Sequence, residues 1–158
     1  MQTGVQIRIA QSTEDLSAVR ELFLEYWNSF GFTPCFQGFE AEVASLPAKY
    51  ALPRGRLLLA TVDGEPAGCV ALRCFDAMRG EMKRMYVRPR YRGIKLGQAL
   101  LKALILEARE AGYAELLADT IPGSMPEALA MYERSGFERI PPYSNETPEA
   151  QHLRLRLL

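Results

Sequence analysis

Apolar and polar residues follow two distinct periods along the first third of the chain, and each period predicts a type of element. Val5 to Ala10 alternates with a period of two, which indicates a short strand. Apolar residues then recur at helical spacing behind Ser12 or Thr13, either of which can cap a helix. The apolar face of that helix consists of Leu16, Val19, Leu22, Phe23, Tyr26 and Trp27. The segment from Phe36 to Tyr50 predicts further helix, although a glycine and a proline interrupt it.

The middle of the chain predicts three strands that run back and forth. Arg56 to Val62 is an apolar strand, and Asp63-Gly64 after it is a strong hairpin-turn signal. Glu65 to Phe75 forms the return strand, and Glu81 to Val87 follows after a short turn. Three consecutive strands joined by short turns are expected to pair as an antiparallel meander.

The second half of the chain alternates between helical and extended patterns. The predicted elements are a helix over Gln98 to Glu107 that ends at Gly112, a strand from Tyr113 to Ile121, a helix from about Met125 to Ser135, and strands at Phe137 to Ile140 and Gln151 to Leu158. A strand, a helix and a strand in this order should form a crossover between parallel strands. The sequence therefore predicts one domain, residues 1–158, with a mixed α/β fold whose central mixed sheet of roughly six to seven strands is flanked by about four helices on both faces.

Composition narrows the class of protein. Lysine and arginine together number 19, as do aspartate and glutamate, so no overall field favours nucleic acid or an anionic membrane. Cys35, Cys69 and Cys74 are odd in number and form no C-x-x-C pair, which argues against a disulfide framework or a zinc site. The N-terminus lacks the apolar region of a signal peptide, and no run approaches ~20 apolar residues. We therefore expect a cytoplasmic protein with no metal, and with neither a nucleic acid nor a membrane as partner.

A basic turn precedes the helix of the strand–helix–strand unit. Arg88, Arg90 and Arg92 place three positive charges within five residues, and Gly93 and Gly97 allow a bulky group to approach the backbone. The first backbone N–H groups of a helix have no partner within the helix, and the helix dipole adds partial positive charge at the same end. We therefore expect a phosphate-bearing ligand on this turn.

Two motifs, one on this turn and one farther along the chain, resemble those of a known family. The first is Arg92-Gly93-Ile94-Lys95-Leu96-Gly97, which follows the strand end Met85-Tyr86-Val87, and the second is Ala130-Met131-Tyr132-Glu133-Arg134-Ser135-Gly136-Phe137. On these residues the chain resembles the GNAT superfamily of acyl-CoA-dependent N-acetyltransferases, and the resemblance runs from the first strand to the last. The phosphate-loop pattern G-x-x-x-x-G-K-[ST] and the dinucleotide pattern G-x-G-x-x-G are both absent.

The resemblance implies the fold of that superfamily and an activity. An acetyl group would pass from acetyl-CoA, as cosubstrate, to a primary amine of a small molecule or a peptide. The amine would attack directly in a ternary complex, since sequence places no histidine near the cysteines to support a covalent route. A non-catalytic sensor or scaffold that binds CoA or acyl-CoA is the alternative. A homodimer formed through the terminal strand is left open.

The resemblance also assigns residues to the coenzyme. Pantetheine would pair with Tyr86 and Val87 like an added strand, at a point where two parallel strands splay apart. A backbone N–H near Met85 would stabilise the oxyanion. The coenzyme-binding residues implied in this way are Met85, Tyr86, Val87, Arg92, Gly93, Ile94, Lys95, Leu96, Gly97 and Gln98. Arg88 and Arg90 are left open between contact with the 3′-phosphate and a solvated turn.

Lys95 departs from the family pattern, which usually has a glycine at that position. If the backbone needs a positive φ there, a lysine would be strained by roughly 1–2 kcal/mol. The lysine retains its backbone N–H and brings an ammonium group that could contact a phosphate. We therefore expect Lys95 to be tolerated.

Transfer to an amine requires one group that accepts a proton and another that protonates the departing thiolate. Tyr132 is the acid candidate by resemblance, although the helical pattern alone would place it in the core. Glu81 is the base candidate by resemblance, with a surface charge at a strand edge as the equal alternative. Asp119 is a second base candidate that we expect to be structural. His152 lies on the polar side of the last strand and is expected at the surface or at an interface.

Overall fold

A seven-stranded mixed sheet forms the centre of the computed structural model, which describes residues 4–29, 39–120, 126–144 and 150–158. The strands are β1 Val5–Ile9, β2 Arg56–Val62, β3 Glu65–Cys74, β4 Arg79–Val87, β5 Glu115–Thr120, β6 Glu138–Ile140 and β7 Gln151–Arg156. The helices are α1 Thr13–Asn28, α2 Phe39–Ala44, α3 Leu96–Glu110 and α4 Pro126–Arg134. This arrangement confirms the predicted mixed sheet and its flanking helices.

The strand order of the sheet is β1-β2-β3-β4-β5-β7-β6. The first four strands pair antiparallel with their neighbours, which confirms the predicted meander. Asp63 and Gly64 join β2 to β3 with φ of 52° and 85°, the backbone that a tight hairpin turn requires and that glycine and aspartate tolerate. Strand β5 then pairs parallel with β4, and α3 forms the connection between them. The basic turn, residues 88–97, is the link from β4 into α3.

Local signals placed α1 and misplaced the segment after it. The side chain of Ser12 accepts a hydrogen bond from the Asp15 N–H at 3.0 Å, so the predicted N-cap is present. The predicted helix from Phe36 to Tyr50 is instead the short α2 and a 3-10 turn at Ala48–Tyr50, and residues 36–38 lie outside the described part of the chain. The predicted interruption near Pro47 is therefore a real break.

Two hydrophobic clusters cover the two faces of the sheet. On one face, α3 and α4 pack Leu100, Leu104 and Tyr132 against β-strand residues that include Leu116. On the other face, α1 and α2 contribute Leu22, Phe23, Trp27 and Phe39, among others, to a second cluster. The rings of Trp27 and Phe39 stack with centroids 4.2 Å apart and an angle of 5°. Within the described ranges, no helix has the length and apolar character that a membrane span requires.

The parallel pairing of β4 with β5 covers only the first part of each strand. Arg79, Gly80 and Glu81 pair with Glu115, Leu116 and Leu117, and both strands continue beyond those residues. On its other edge, β4 carries a bulge, because Lys83 pairs with Ala71 whereas Tyr86 pairs with Cys69. A bulge adds a residue to one strand and bends it away from its neighbour. The result is a gap between the second halves of β4 and β5, the kind of interruption that the resemblance implied.

Arg84 lies in this bulge at a φ of 59°, and a buried ion pair fixes its side chain. Its Nε and Nη2 atoms each donate to a different carboxylate oxygen of Glu42, both at 2.9 Å. The guanidinium also packs over the rings of Trp27 and Phe39, at 5.2 and 5.4 Å from their centroids. Burial acts to raise the pKa of Glu42, but Arg84 and Lys49 outweigh burial and lower it. The pair therefore ties the bulge to α2.

Breaking this pair should destabilise the fold. In Glu42→Gln the Arg84 charge stays buried without its counter-charge, and we expect the free energy of unfolding to fall by about 3 kcal/mol or more. Urea unfolding followed by circular dichroism measures the change. Glu133→Gln is the matched control, because Glu133 and Arg139 form a pair whose side chains are 40% and 55% exposed. A loss of the same size in both variants would show that the buried pair has no special part in the fold.

Candidate functional site

The basic turn leaves backbone N–H groups at the start of α3 without backbone partners among the described residues. The Ala99 N–H is the first to donate along the helix, to the Lys95 carbonyl at 3.1 Å. The N–H groups of Leu96, Gly97 and Gln98 precede this first donor and therefore have no acceptor within the helix. Arg92 closes the turn, because its Nε donates to the Val87 carbonyl at 2.9 Å. An anionic group would find a positive potential and three backbone donors at this position.

Gly97 has no need to be glycine for the sake of the protein's own packing. A Cβ at this position would meet nothing nearer than Met131 Sδ at 3.8 Å and Val87 Cγ2 at 3.9 Å, which are ordinary contacts. Its φ is also outside the positive range, unlike that of Gly93 at 95°. The absence of a side chain therefore leaves open space above the helix N-terminus. That space suits the close approach of a phosphate group.

Lys95 adopts the left-handed conformation that its place in the motif suggested. Its φ and ψ are 61° and 28°, and it is the residue immediately before α3. The side chain makes no capping hydrogen bond, so the strain is not offset by a cap. The expected positive φ is thus observed at a residue with a Cβ, where it costs about 1–2 kcal/mol.

The remaining motif residues divide into inward and outward side chains. Leu96 is 2% exposed and belongs to the core, so it faces a ligand through its backbone alone. Ile94 is 42% exposed. Arg88, one of the two arginines left open above, forms ion pairs with Glu25 at 2.6 Å and Glu21 at 3.0 Å. Arg88 therefore joins the turn to α1, which accounts for it without a phosphate.

A small cavity occupies the gap between β4 and β5. Its lining comes from β4, β5, α1 and α4, and consists of Tyr26, Met82, Lys83, Arg84, Met85, Asp119, Thr120 and Tyr132. The structure thus brings together Met85 and Tyr132, which the sequence proposed for the oxyanion and the acid. Glu81 does not line this cavity. Thr120 Oγ1 is buried there without a hydrogen-bond partner among the described residues.

Tyr132 satisfies both interpretations that the sequence allowed. Its side chain is 4% exposed and packs against Phe137 at 5.6 Å, so it belongs to the core. It also lines the cavity between the strands. Burial raises the pKa of Tyr132, with smaller contributions from Tyr26 and Asp119. The phenol therefore remains protonated at neutral pH.

Glu81 is neither an exposed strand-edge charge nor an open base. It lies inside β4, which begins at Arg79, and it is 1% exposed. Its Oε1 accepts from Arg73 Nε and its Oε2 from the Tyr143 hydroxyl, both at 2.7 Å. Burial acts to raise the pKa of Glu81, but Lys83, Tyr143 and Arg73 together lower it. A carboxylate held in this way is a weak base.

Asp119 is partly buried and Glu81 is fully buried, and their surroundings shift the pKa of the two carboxylates in opposite directions. Burial raises the pKa of Asp119, and the negative charge of Glu81 adds to the increase, whereas Lys83, His152 and Arg84 oppose it. Among the residues that the structure describes, none donates a hydrogen bond to the Asp119 carboxylate. Asp119 also lines the cavity.

His152 is buried, so the prediction of a surface or interface residue was wrong. Its side chain is 1% exposed, and its ring meets that of Tyr143 edge-on at 4.7 Å. The Tyr143 N–H donates to its Nδ1 at 3.4 Å. Tyr143 covers His152 on the polar side of β7, and sequence spacing gave no sign of that contact.

Sequence reasoning missed Arg73, Lys83 and Tyr143, which join Glu81, Asp119 and His152 in one polar cluster on the α1 and α2 face of the sheet. The polar cluster consists of Arg73, Glu81, Lys83, Asp119, Tyr143 and His152. One signal was available, since Glu81 and Lys83 alternate within a strand that is otherwise largely apolar. Charges repeated at a period of two mark a polar face.

Comparison with known proteins identifies similar chains. The model of the Acetyltransferase (GNAT) family matches residues 16–137. An uncharacterized N-acetyltransferase of Schizosaccharomyces pombe is 35% identical over an alignment that covers 98% of this chain and 96% of that protein.

Solved structures share the same architecture. An acetyltransferase from Streptococcus agalactiae aligns with a TM-score of 0.81 at 20% identity, covering 97% of this chain and 98% of that one. The protein yncA from Salmonella typhimurium, solved with its cofactor acetyl-CoA, aligns with a TM-score of 0.71 at 20% identity, covering 98% of this chain and 95% of that one. At these identities the structures show a common fold.

Replacing Lys95 should reveal the strain at the basic turn. Lys95→Gly removes the Cβ from a left-handed residue, and we expect a gain of about 0.5–1 kcal/mol in the free energy of unfolding after the entropy cost of glycine. Lys95→Ala keeps the Cβ and should bring no comparable gain. Urea unfolding of the two variants and the wild type measures the difference. Equal stability of the glycine and alanine variants would contradict the assignment of strain.

Proposed function

The chain belongs to the GNAT family of acetyltransferases, and on that premise we propose that it transfers an acetyl group from acetyl-CoA to a primary amine of a small molecule or a peptide. The amine attacks directly, with both substrates bound at once. The observation that carries the proposal is the loss of pairing between β4 and β5 beyond Glu81 and Leu117, next to the helix N-terminus at Gly97.

The residues present fit the coenzyme. The free N–H groups of Leu96, Gly97 and Gln98 would hold the pyrophosphate, and Arg92 and Gly93 shape the turn that presents them. The edge of β4 from Met85 to Val87 has no β5 partner in the described structure, so it would accept the pantetheine amides as an added strand would. Lys95 contributes its backbone at the same turn.

The cavity between the strands can serve the chemistry. Bound acetyl-CoA supplies an activated thioester, whose acetyl carbon a neutral amine attacks. An amine with a pKa near 10.4 is neutral in about one molecule in a few thousand at pH 7, so deprotonation costs roughly 4–5 kcal/mol. The Met85 N–H is proposed to stabilise the oxyanion, a contribution of about 3 kcal/mol for a fixed donor in a dry site. Tyr132 holds the proton for the departing thiolate.

The cysteines in the described residues support direct transfer over a covalent route. Cys69 is fully buried, and burial raises the pKa of its thiol, while its Sγ donates to the Arg84 carbonyl at 3.5 Å. A buried thiol of that kind is a poor nucleophile. Cys74 is exposed and does not line the cavity, and Cys35 lies outside the described residues.

Incubation with acetyl-CoA and a broad panel of amines tests the proposed activity. We expect release of free thiol that depends on at least one amine, followed with a thiol reagent and confirmed by the mass of the acetylated product. Calorimetry with CoA alone gives the binding constant independently. Binding of CoA without thiol release for any amine would favour the alternative of a sensor or scaffold. Absence of both would overturn the coenzyme site.

Replacing the proposed acid should separate turnover from coenzyme binding. Tyr132→Phe removes the proton donor and is expected to lower kcat by about 10²-fold or more, with little change in the affinity for CoA. Tyr113→Phe is the matched control, because the Tyr113 hydroxyl donates to the Arg54 carbonyl at 2.7 Å and does not line the cavity. Full turnover by Tyr132→Phe would show that the acid assignment is wrong.

A further inference from the structure

The cavity between β4 and β5 presents different chemistry toward the two faces of the sheet. Leu116 and Ala118 pack in the cluster under α3 and α4, and side chains alternate along a strand, so Asp119 faces the side of α1 and α2. Tyr132 belongs to the cluster under α3 and α4. A carboxylate and a phenol therefore line one cavity from opposite faces of the sheet.

Asp119 is the carboxylate of the polar cluster whose oxygens accept no hydrogen bond from the described residues. Both oxygens of Glu81 are occupied by short hydrogen bonds, and both oxygens of Glu42 are occupied by Arg84. Among the described residues no hydrogen bond reaches Asp119, and its side chain is only partly buried. An incoming ammonium group would thus find one carboxylate in the cavity lining that has its oxygens available.

From this arrangement we propose that Asp119, and not Glu81, binds the ammonium group of the acceptor and accepts its proton. The inference rests on the proposed function, and it assigns the two proton transfers to opposite faces of the sheet. Asp119 serves the amine on the α1 and α2 face, and Tyr132 serves the thiolate on the α3 and α4 face. Glu81 is then a positioning residue that holds Arg73 and Tyr143 in the polar cluster.

These two groups account for every proton that moves during the reaction. The ammonium loses one proton to the Asp119 carboxylate, and the freed lone pair forms the C–N bond. The C–S bond breaks with its electron pair on sulfur, which takes the Tyr132 hydroxyl proton. The amide nitrogen sheds its second proton, which restores Tyr132 through solvent, and Asp119 returns its proton to solvent. One proton is released for each acetyl group transferred.

The electrostatic surroundings of Asp119 agree with this role. Burial raises the pKa of Asp119, which makes its carboxylate a stronger base than an exposed aspartate. The charged and titratable groups that face it come from five different parts of the chain: Glu81, Lys83, Arg84, His152, Tyr26, Tyr132 and Tyr143. The positive members favour the ionised carboxylate, and burial opposes them and makes the carboxylate more basic.

Turnover by Asp119→Asn tests the proposal. We expect kcat/KM for the most active alkylamine of the panel to fall by about 10²-fold or more, with unchanged CoA binding by calorimetry. A weakly basic aryl amine, already neutral at pH 7, should lose much less.

Glu115→Gln is the matched control, because Glu115 lies on the same face of the same strand, pairs with Arg79 at its far end, and does not line the cavity. Full alkylamine turnover by Asp119→Asn would overturn the inference alone, whereas a wild type that binds CoA and acetylates no amine would overturn the proposed function with it.

A second measurement requires no coenzyme. A raised pKa in the folded state means that the native protein holds the Asp119 proton more tightly than the unfolded chain, so this group's contribution to stability falls as pH rises from about 4 through the folded pKa. The stability of Asp119→Asn relative to wild type should therefore increase over that range. Glu81→Gln should show the opposite trend, because the lowered pKa of Glu81 stabilises the fold above about pH 4 and that contribution is lost in acid. A flat or falling difference for Asp119→Asn would contradict the proposal.

Discussion

The buried ion pair between Arg84 and Glu42 is the interaction on which the rest of the site depends. A bulge in β4 places Arg84 at a positive φ, which strains its backbone. Its side chain donates two charge-assisted hydrogen bonds to Glu42, and these offset part of the strain energy. Because the bulge bends β4, pairing with β5 ends at Glu81. If the two strands stayed paired to their ends, the backbone edge of β4 would be hydrogen-bonded to β5 and the cavity would close. The opening that is proposed to admit the coenzyme therefore depends on a side-chain contact on the opposite face from α3.

Two carboxylates in one polar cluster illustrate how surroundings divide the roles of identical groups. Glu81 lies among Arg73, Lys83 and Tyr143, which satisfy its oxygens and lower its pKa. Asp119 receives no such bonds from the described residues, and burial raises its pKa. The tightly bonded carboxylate is suited to fixing a structure, and the open one to exchanging a proton. The position of each in the sequence gives no hint of this division.

The periodicity of the sequence predicts most of the fold, because it depends on local burial. Strand alternation, the Ser12 cap and the Asp63-Gly64 turn are contacts within a few residues, and the structure confirms each of them. The glycine turn likewise predicts the open helix N-terminus. The burial of His152 and the network around Glu81 depend on Tyr143, which is 62 residues from Glu81 in the chain. The bulge at Arg84 requires Glu42, 42 residues away, so no local pattern could have revealed it.

Arg88 connects the two parts of the proposed site, the turn at residues 88–97 and the cavity between β4 and β5. Its guanidinium holds Glu21 and Glu25 of α1, and Glu25 also accepts a hydrogen bond from the Tyr86 hydroxyl at 3.3 Å. The next residue of α1, Tyr26, lines the cavity where the acceptor is proposed to bind. A tilt of α1 that widened that cavity would therefore shift the turn that is proposed to bind the diphosphate. Binding of the acceptor in the cavity should therefore change the binding free energy of the coenzyme at the turn, and the reverse, because α1 contacts both parts of the site.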